Sequence, residues 1–407
     1  MLTSRLPDAT WSTTSLHLVY RDLSVLSERD EDKDAELPFW QLIDIANSAE
    51  SSDPRDLVYG LIGLMGDKVG KQLVPNYKLS PREVYTEASK AFIQSYQSLD
   101  PIREGNPWGP TKTSSWVADW LWHGARLSQA RIENRLWGPA WLSGKREPDS
   151  SNYKAYEASL GSTCDFSFLG NGLMECTGFI IDTIAGLSAR GRGFFAWSET
   201  SIIQGKEWSS IYGDIGDTSK ALCRTLLADR VGKGQKPSDR HAVILNLPST
   251  FDIAEPQFLS RSWEWLASQE RYYFRWEEWR KANRNFQLGD RRLDDFFNDA
   301  IPPEATYRDV TEVYACFDRT SQKRRFMITQ KGYMGWAPDN IYGSLRDQTR
   351  TGDLITILFG CSTPIVVRPH GKHFQVIGEA YVQGVMDGEA MEILRNGTIE
   401  ARRFTFC

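Results

Sequence analysis

The chain has 407 residues, 41% of them apolar and 25% charged, a composition that excludes a largely disordered polypeptide. Its net charge of −5 and pI of about 5.7 give no general attraction for a phosphate backbone or an anionic lipid surface, so neither nucleic acid nor membrane is expected as a partner. No apolar h-region follows Met1 to Pro7, and the longest apolar runs, such as Leu354 to Phe359, fall far short of a membrane span, which predicts a cytoplasmic protein.

Residues 1–35 are weakly patterned, with one short strand candidate at Leu16 to Tyr20 and an acidic run at Glu28 to Asp34. Pro38 then opens a helix in which Phe39, Leu42, Ile43 and Ala46 recur at helical spacing. A second helix is predicted from Asp53-Pro54-Arg55-Asp56: Asp53 caps, Pro54 takes the first position and Asp56 adds charge to the first turn. Leu57, Leu61, Leu64 and Met65 would be its buried stripe and Gly66 its stop. Ser80-Pro81-Arg82-Glu83 has the form of a capping box, and Val84, Ala88, Ala91 and Phe92 give the apolar face of a helix ending near Ser98.

Residues 100–112 read as a Pro- and Gly-rich loop, and 124–168 are poorly periodic. Gly172 to Ile184 has the mixed apolar pattern of a strand buried on much of both faces. Asp217 is placed to cap a helix of about fourteen residues with Leu222 and Leu226 inward, followed by an exposed basic loop at 232–240. Residues 258–300 read as helical, with Arg275, Arg280, Lys281 and Arg284 among acidic residues on a solvated face.

The last hundred residues are strand-rich, with candidates at Arg324 to Thr329, Leu354 to Phe359 and Pro364 to Arg368. His373 to Gln383 alternates as one strand, with Gly378 and Ala380 on one side and Glu379 and Tyr381 on the other. The whole is α+β: N-terminal and central helices with a C-terminal small curled antiparallel sheet or partial barrel. Three regions are expected: a mostly helical 1–125, a mixed 126–310 and a strand-rich 311–407 packed on the rest.

Several segments, in order, resemble fungal heterokaryon-incompatibility proteins. They are Asp53 to Leu64 (DPRDLVYGLIGL), Pro75 to Tyr85 (PNYKLSPREVY) and Ser115 to Trp120 (SWVADW, with Ala118 where proline is usual). Further on come Arg224 to Asp229 (RTLLAD), Arg325 to Pro338, Gly352-Asp353, Pro364 to Arg368, and Ile377 to Glu389 (IGEAYVQGVMDGE). The resemblance implies a regulatory or interaction protein of self/non-self recognition. The family's name-giving N-terminal domain has an early aromatic strand region that has no counterpart here, so the chain resembles the part downstream of it, or a relative that lacks that domain. The family's cell-death activity is tied to that domain.

Candidate chemistry concentrates at the last strands. Glu379, Tyr381, Asp387 and His373 are the acid/base candidates, because two carboxylates and a phenol can share proton transfer when their environments separate their pKa values. In that setting burial would raise the Glu379 pKa unless a cation such as Arg368 paired with it. Trp116 and Trp120 with Asp119 can frame a pocket or simply make a core corner, and Arg55 with Asp53 and Asp56 forms a charged helix start. Trp116, Asp119, Trp120, Arg55 and Arg368 are therefore the ligand-binding candidates. His123, His241 and His370 are isolated in sequence, and the six cysteines form no CxxC and read as reduced buried thiols, so no metal or cofactor is expected. A protein partner or a small-molecule ligand fits this reading, and a homo-oligomer is compatible with it. The alternative is an enzyme of fungal secondary metabolism acting on a small molecule.

Overall fold

The structure, a computed structural model, describes residues 37–49, 51–121, 156–189, 191–192, 196–197, 202–203, 210–232, 235–246, 263–298, 305–321, 324–339 and 349–407. The strand candidate at Leu16 to Tyr20 and the acidic run after it lie outside these residues.

The N-terminal helices follow the apolar spacing closely. Helix α1 (Phe39–Ser48) starts behind Pro38 and buries Phe39, Leu42, Ile43 and Ala46. The second helix is shorter and later than its sequence suggests. Helix α2 spans only Asp56–Tyr59, because the Asp53 carboxylate takes the Arg55 amide and guanidinium, which makes a turn rather than a cap. A 3-10 turn at Ile62–Leu64 follows, then Gly66 at φ 72° and α3 (Asp67–Gly70).

Helix α4 (Pro81–Tyr96) carries the full capping box: Ser80 Oγ accepts from the Glu83 amide at 3.3 Å, and Glu83 Oε2 accepts from the Ser80 amide at 2.7 Å. Ser80→Ala is therefore expected to cost about 1 kcal/mol. Urea unfolding measures this, and an unchanged midpoint would mean that the cap contributes nothing.

Strand β1 (Phe166–Phe168) leads into β2 (Met174–Leu187), the axis of the sheet system. The short strands β3 (Gly191–Arg192), β4 (Ala196–Trp197) and β5 (Ile202–Ile203) come next, and β5 pairs with the end of β2. Helix α5 (Ile215–Leu226) buries Leu222 and Leu226, but its cap is Asp214, whose carboxylate accepts from the Asp217 amide at 2.9 Å. Asp217 sits in the first turn instead.

Helix α6 (Trp263–Asn283) fills only part of the segment read as helical. A tight hairpin of β6 (Gln287–Leu288) and β7 (Arg291–Arg292) follows it. The basic run is also not uniformly solvated: Arg275 is buried against Asp318 at 2.6 Å and Arg280 reaches Asp294 at 2.6 Å, while Lys281 stays outside with Glu277. Helix α7 (Tyr307–Ser321) packs against α6.

The remaining strands are β8 (Arg324–Thr329), β9 (Met334–Pro338), β10 (Leu354–Leu358), β11 (Ile365–His370), β12 (His373–Glu379), β13 (Tyr381–Val382) and, after helix α8 (Glu389–Arg395), β14 (Arg402–Phe406). Strand β14 pairs with the first part of β2, β10 with its middle and β8 with its end. Passing from β2 through β10, β11, β12 and β14 returns to β2, so the strands close a ring. The β12–β14 step is parallel and rests on a single pair, Phe374 with Phe406, so the ring is not a regular barrel. From the end of β2 the sheet also continues through β8 and β9 to β13.

His373 to Gln383 is therefore two strands. A bulge falls opposite Val366 and Val367, where the partner skips from Gly378 to Val376, and Gly378 sits at φ 143°. Only glycine adopts that backbone without strain. The bulge resets the side-chain phase after His373.

Apolar side chains gather in three clusters, one joining the N-terminal helices to β2, β11, β12 and β14, one joining β2, β10, β11 and β12 to β8, β9, β13 and α8, and one among α5, α6, α7 and β8–β9. The last is dominated by aromatic rings, with Trp279, Phe317 and Phe326 around Trp336 at centroid distances of 5.8, 6.0 and 5.6 Å. The cysteines are all unpaired, four of them buried. No helix among the described residues is long and apolar enough to cross a membrane.

Candidate functional site

Glu379, at the end of β12, lies between two arginines from distant parts of the chain. Arg103, in the 3-10 turn Asp100–Glu104, donates to Oε2 from Nε at 2.9 Å and Nη2 at 2.5 Å. Arg324, the first residue of β8, donates to Oε1 at 2.6 Å and to the Glu379 carbonyl at 2.9 Å. All three side chains are 7% exposed or less. Arg103 also donates to Ser362 Oγ, which in turn donates to Asp100 Oδ1 at 2.8 Å. Arg368 takes no part in this network; it pairs with Asp353 through two bonds of 2.7 Å. Of the environments the sequence allowed for Glu379, the structure has the paired one, with different cations.

Tyr381 lies beyond the strand break and belongs to another network. It is fully buried, its hydroxyl donates to Gln383 Oε1, and burial pushes its pKa well above the ordinary phenol value. Its ring meets Tyr156 edge-on at 6.0 Å, and Tyr156 donates to the Ala228 carbonyl at 2.5 Å. The Arg230 guanidinium sits 4.7 Å over the Tyr156 ring and reaches Asp387 Oδ1 at 3.2 Å and Asp229 Oδ2 at 3.3 Å. Lys236 closes on Asp387 at 2.5 Å from the solvent side.

Ala228 and Asp229 are consecutive non-glycine residues at φ 50° and 52°, a left-handed pair that costs energy and persists only where its surroundings fix it. Burial raises the Asp229 pKa, with Arg224, Arg230 and Lys236 opposing. Tyr381 and Asp387 thus share one neighbourhood. His373 is remote from it, paired with His370 in the β11–β12 hairpin.

Trp116 and Trp120 are buried in the core beside the N-terminal helices, and Trp116 Nε1 donates to the Gly172 carbonyl at 2.8 Å. The Asp119 carboxylate accepts from the Thr111 amide and hydroxyl and from the Leu121 amide. Gly109 packs so close to that carboxylate that a Cβ at this position would collide with it. The same segment is clamped to the ring by Ser115, whose amide and hydroxyl donate to the Cys407 carbonyl and whose oxygen accepts from the Val376 amide. Arg55 binds Asp53 and the Tyr77 and Leu79 carbonyls, tying the helix start to the segment before α4. The nearby cavity of about 420 Å³ is lined by Ala46, Asp56, Leu57 and Leu61 among others, and neither Arg55 nor the tryptophans line it.

One cluster was not anticipated. His241, in the 3-10 turn Asp239–Leu245, faces Asp309 and Glu312, one turn apart on α7. One ligand atom from each lies within 4.8 Å of the others. Burial opposes ionisation of Asp309, but the Thr306 hydroxyl and amide, with Arg240, hold it below the usual carboxylate range. The His241 ring and the Gly232 amide do the same for Glu312. In sequence the only trace is Asp-x-x-Glu at helical spacing, since the histidine arrives from another element.

The model of the Het-6 beta-barrel domain matches residues 206–398. Over 378 residues the chain is 26% identical to heterokaryon incompatibility protein 6, OR allele, of Neurospora crassa, covering 83% of this chain. The chain is thus similar to a fungal heterokaryon-incompatibility protein along most of its length. It spans about half the length of the curated relative, 49%. No solved structure matches it. The domain match takes in β8 to β13 but not β2 or β14, the strands that complete the ring.

Proposed function

We propose that the chain is a regulatory, interaction-based component of fungal self/non-self recognition, working with a protein partner or a small-molecule ligand. The observation that carries this reading is the similarity to heterokaryon incompatibility protein 6 along 83% of the chain. The engagement of the acid/base candidates supports it. Glu379 is held by two buried arginines and Asp387 by an arginine and a lysine, an arrangement that suits a rigid scaffold better than proton transfer. The second reading, an enzyme of fungal secondary metabolism, has the His241, Asp309 and Glu312 cluster in its favour.

The test is genetic. Fungal strains that carry or lack the gene for this chain are paired with partners carrying a divergent allele, and growth of the fused cells is scored. Arrest that depends on the chain is the expected result. Fusion that proceeds equally in every pairing, with an altered small-molecule profile in the deletion strain, would replace this reading with the enzymatic one.

A further inference from the structure

We infer that His241, Asp309 and Glu312 form a binding site for one divalent transition-metal cation of the zinc class. The inference is independent of the recognition role. Glu312 Oε1 accepts from the Gly232 amide at 2.6 Å, and Asp309 Oδ2 accepts from the Thr306 amide at 2.8 Å and hydroxyl at 2.6 Å. Each carboxylate is thereby fixed through one oxygen; the other oxygen of Glu312 faces the histidine, and that of Asp309 pairs with Arg240 beside it. His241 Nε2 lies 3.9 Å from Glu312 Oε2 and has no hydrogen-bond partner, although the side chain is only 3% exposed. An orphaned buried ring nitrogen aimed at two anchored carboxylates is what a cation site looks like before loading, with its outer anchors already present.

The dimensions and charges also fit. Around zinc at about 2.0–2.1 Å from each ligand, three ligand atoms stand roughly 3.4 Å apart. Closing from 4.8 Å requires each to move by less than about 1 Å, within reach of side-chain rotation. One neutral imidazole and two carboxylates match a doubly charged ion and leave a coordination position for water. The competing cation is Arg240, whose Nε lies 3.2 Å from Asp309 Oδ1 on a half-exposed side chain that is free to swing out.

Loading moves one proton within the ring. The Ser238 amide donates to Nδ1 at 3.0 Å, which puts the ring proton on Nε2 in the cation-free form. When the cation takes Nε2, that proton passes to Nδ1 and is donated to Ser238 Oγ at 3.0 Å or to its carbonyl at 3.3 Å. The imidazole stays neutral, and the Ser238 amide gives up its bond.

The test uses the full chain, stripped with a chelator and titrated calorimetrically with zinc, manganese and magnesium chlorides. One equivalent of zinc should bind, magnesium should bind far more weakly, and zinc should raise the melting temperature. Glu312→Gln and Asp309→Asn should each weaken zinc binding at least about 10-fold and abolish the melting shift. Arg240→Ala, which removes the competing cation from a half-exposed position, should tighten binding. The inference is overturned if the parent chain takes up no stoichiometric zinc. It is equally overturned if the two carboxylate variants, or Arg240→Ala, bind zinc as the parent does, since uptake would then reside on other surface groups.

Discussion

Glu379→Gln is expected to destabilise the protein by about 3–5 kcal/mol, the cost of breaking a buried ion pair from one side. The carboxylate neutralises Arg103 and Arg324 together, with three arginine nitrogens within 2.9 Å of its oxygens. Glutamine keeps the shape and one acceptor oxygen, but it presents an amide group to one of the guanidinium groups. Two cations then remain in a site nearly closed to water. The three groups come from the 100–104 turn, β8 and β12, so their loss should loosen the join between the helical region and the ring. Urea unfolding reads the effect as a lowered midpoint. A loss under about 1 kcal/mol, the range of an exposed pair, would mean that the site is wetter than its burial indicates. A matched Tyr381→Phe variant should lose less, because it removes one neutral hydrogen bond and leaves the ring packing intact.

Trp336→Ala should cost a similar about 3–5 kcal/mol by a different mechanism, the opening of a cavity. The indole is fully buried within a cage of Trp279, Phe317 and Phe326, two of them contributed by α6 and α7. Its Nε1 donates to the Thr225 carbonyl near the end of α5 at 2.6 Å, so the truncation also removes one of the two hydrogen bonds that this carbonyl accepts, leaving the one from the Ala228 amide at 3.0 Å. Aromatic cages built from several elements cannot collapse onto a missing ring without moving whole helices. Trp336→Phe should recover part of the loss. Thermal unfolding of the three proteins orders them parent, Phe, Ala, and an alanine variant that melts with the parent would refute the packing argument.

Much of the fold could be read from local chemistry. Pro38, the Ser80 capping box and the apolar spacing behind them placed α1 and α4 within a residue or two, and β8 and β10 matched their apolar runs. What failed had non-local causes. Asp53 spends its carboxylate on Arg55, whose guanidinium is fixed by carbonyls more than twenty residues away, so the helix begins later than its cap-like sequence suggests. The β12–β13 break follows from a bulge set by pairing with β11, which no reading of one strand in isolation reveals.

The candidate sites divide in the same way. Asp387 and Tyr381 were visible as residue types, whereas Arg230, Lys236 and the left-handed Ala228–Asp229 corner that bring them together lie some 150 positions earlier, as in the Arg230–Asp387 pair. His241 stands alone in the sequence because its carboxylate neighbours come from another helix.

The closure of the strands through β2 has a consequence for biosynthesis. Strand β2 pairs locally with β1 and β5, yet most of its partners come later: β8, β10 and finally β14 must have left the ribosome, since Met174 to Gly178 pairs with Arg402 to Phe406. Until then a fourteen-residue apolar strand has open edges in the nascent chain. Contacts of such sequence separation slow folding and prolong exposure to misassociation. The ring therefore cannot close before β14 has emerged, and the unpaired edges of β2 stay open to misassociation for longer than those of a fold built from local contacts.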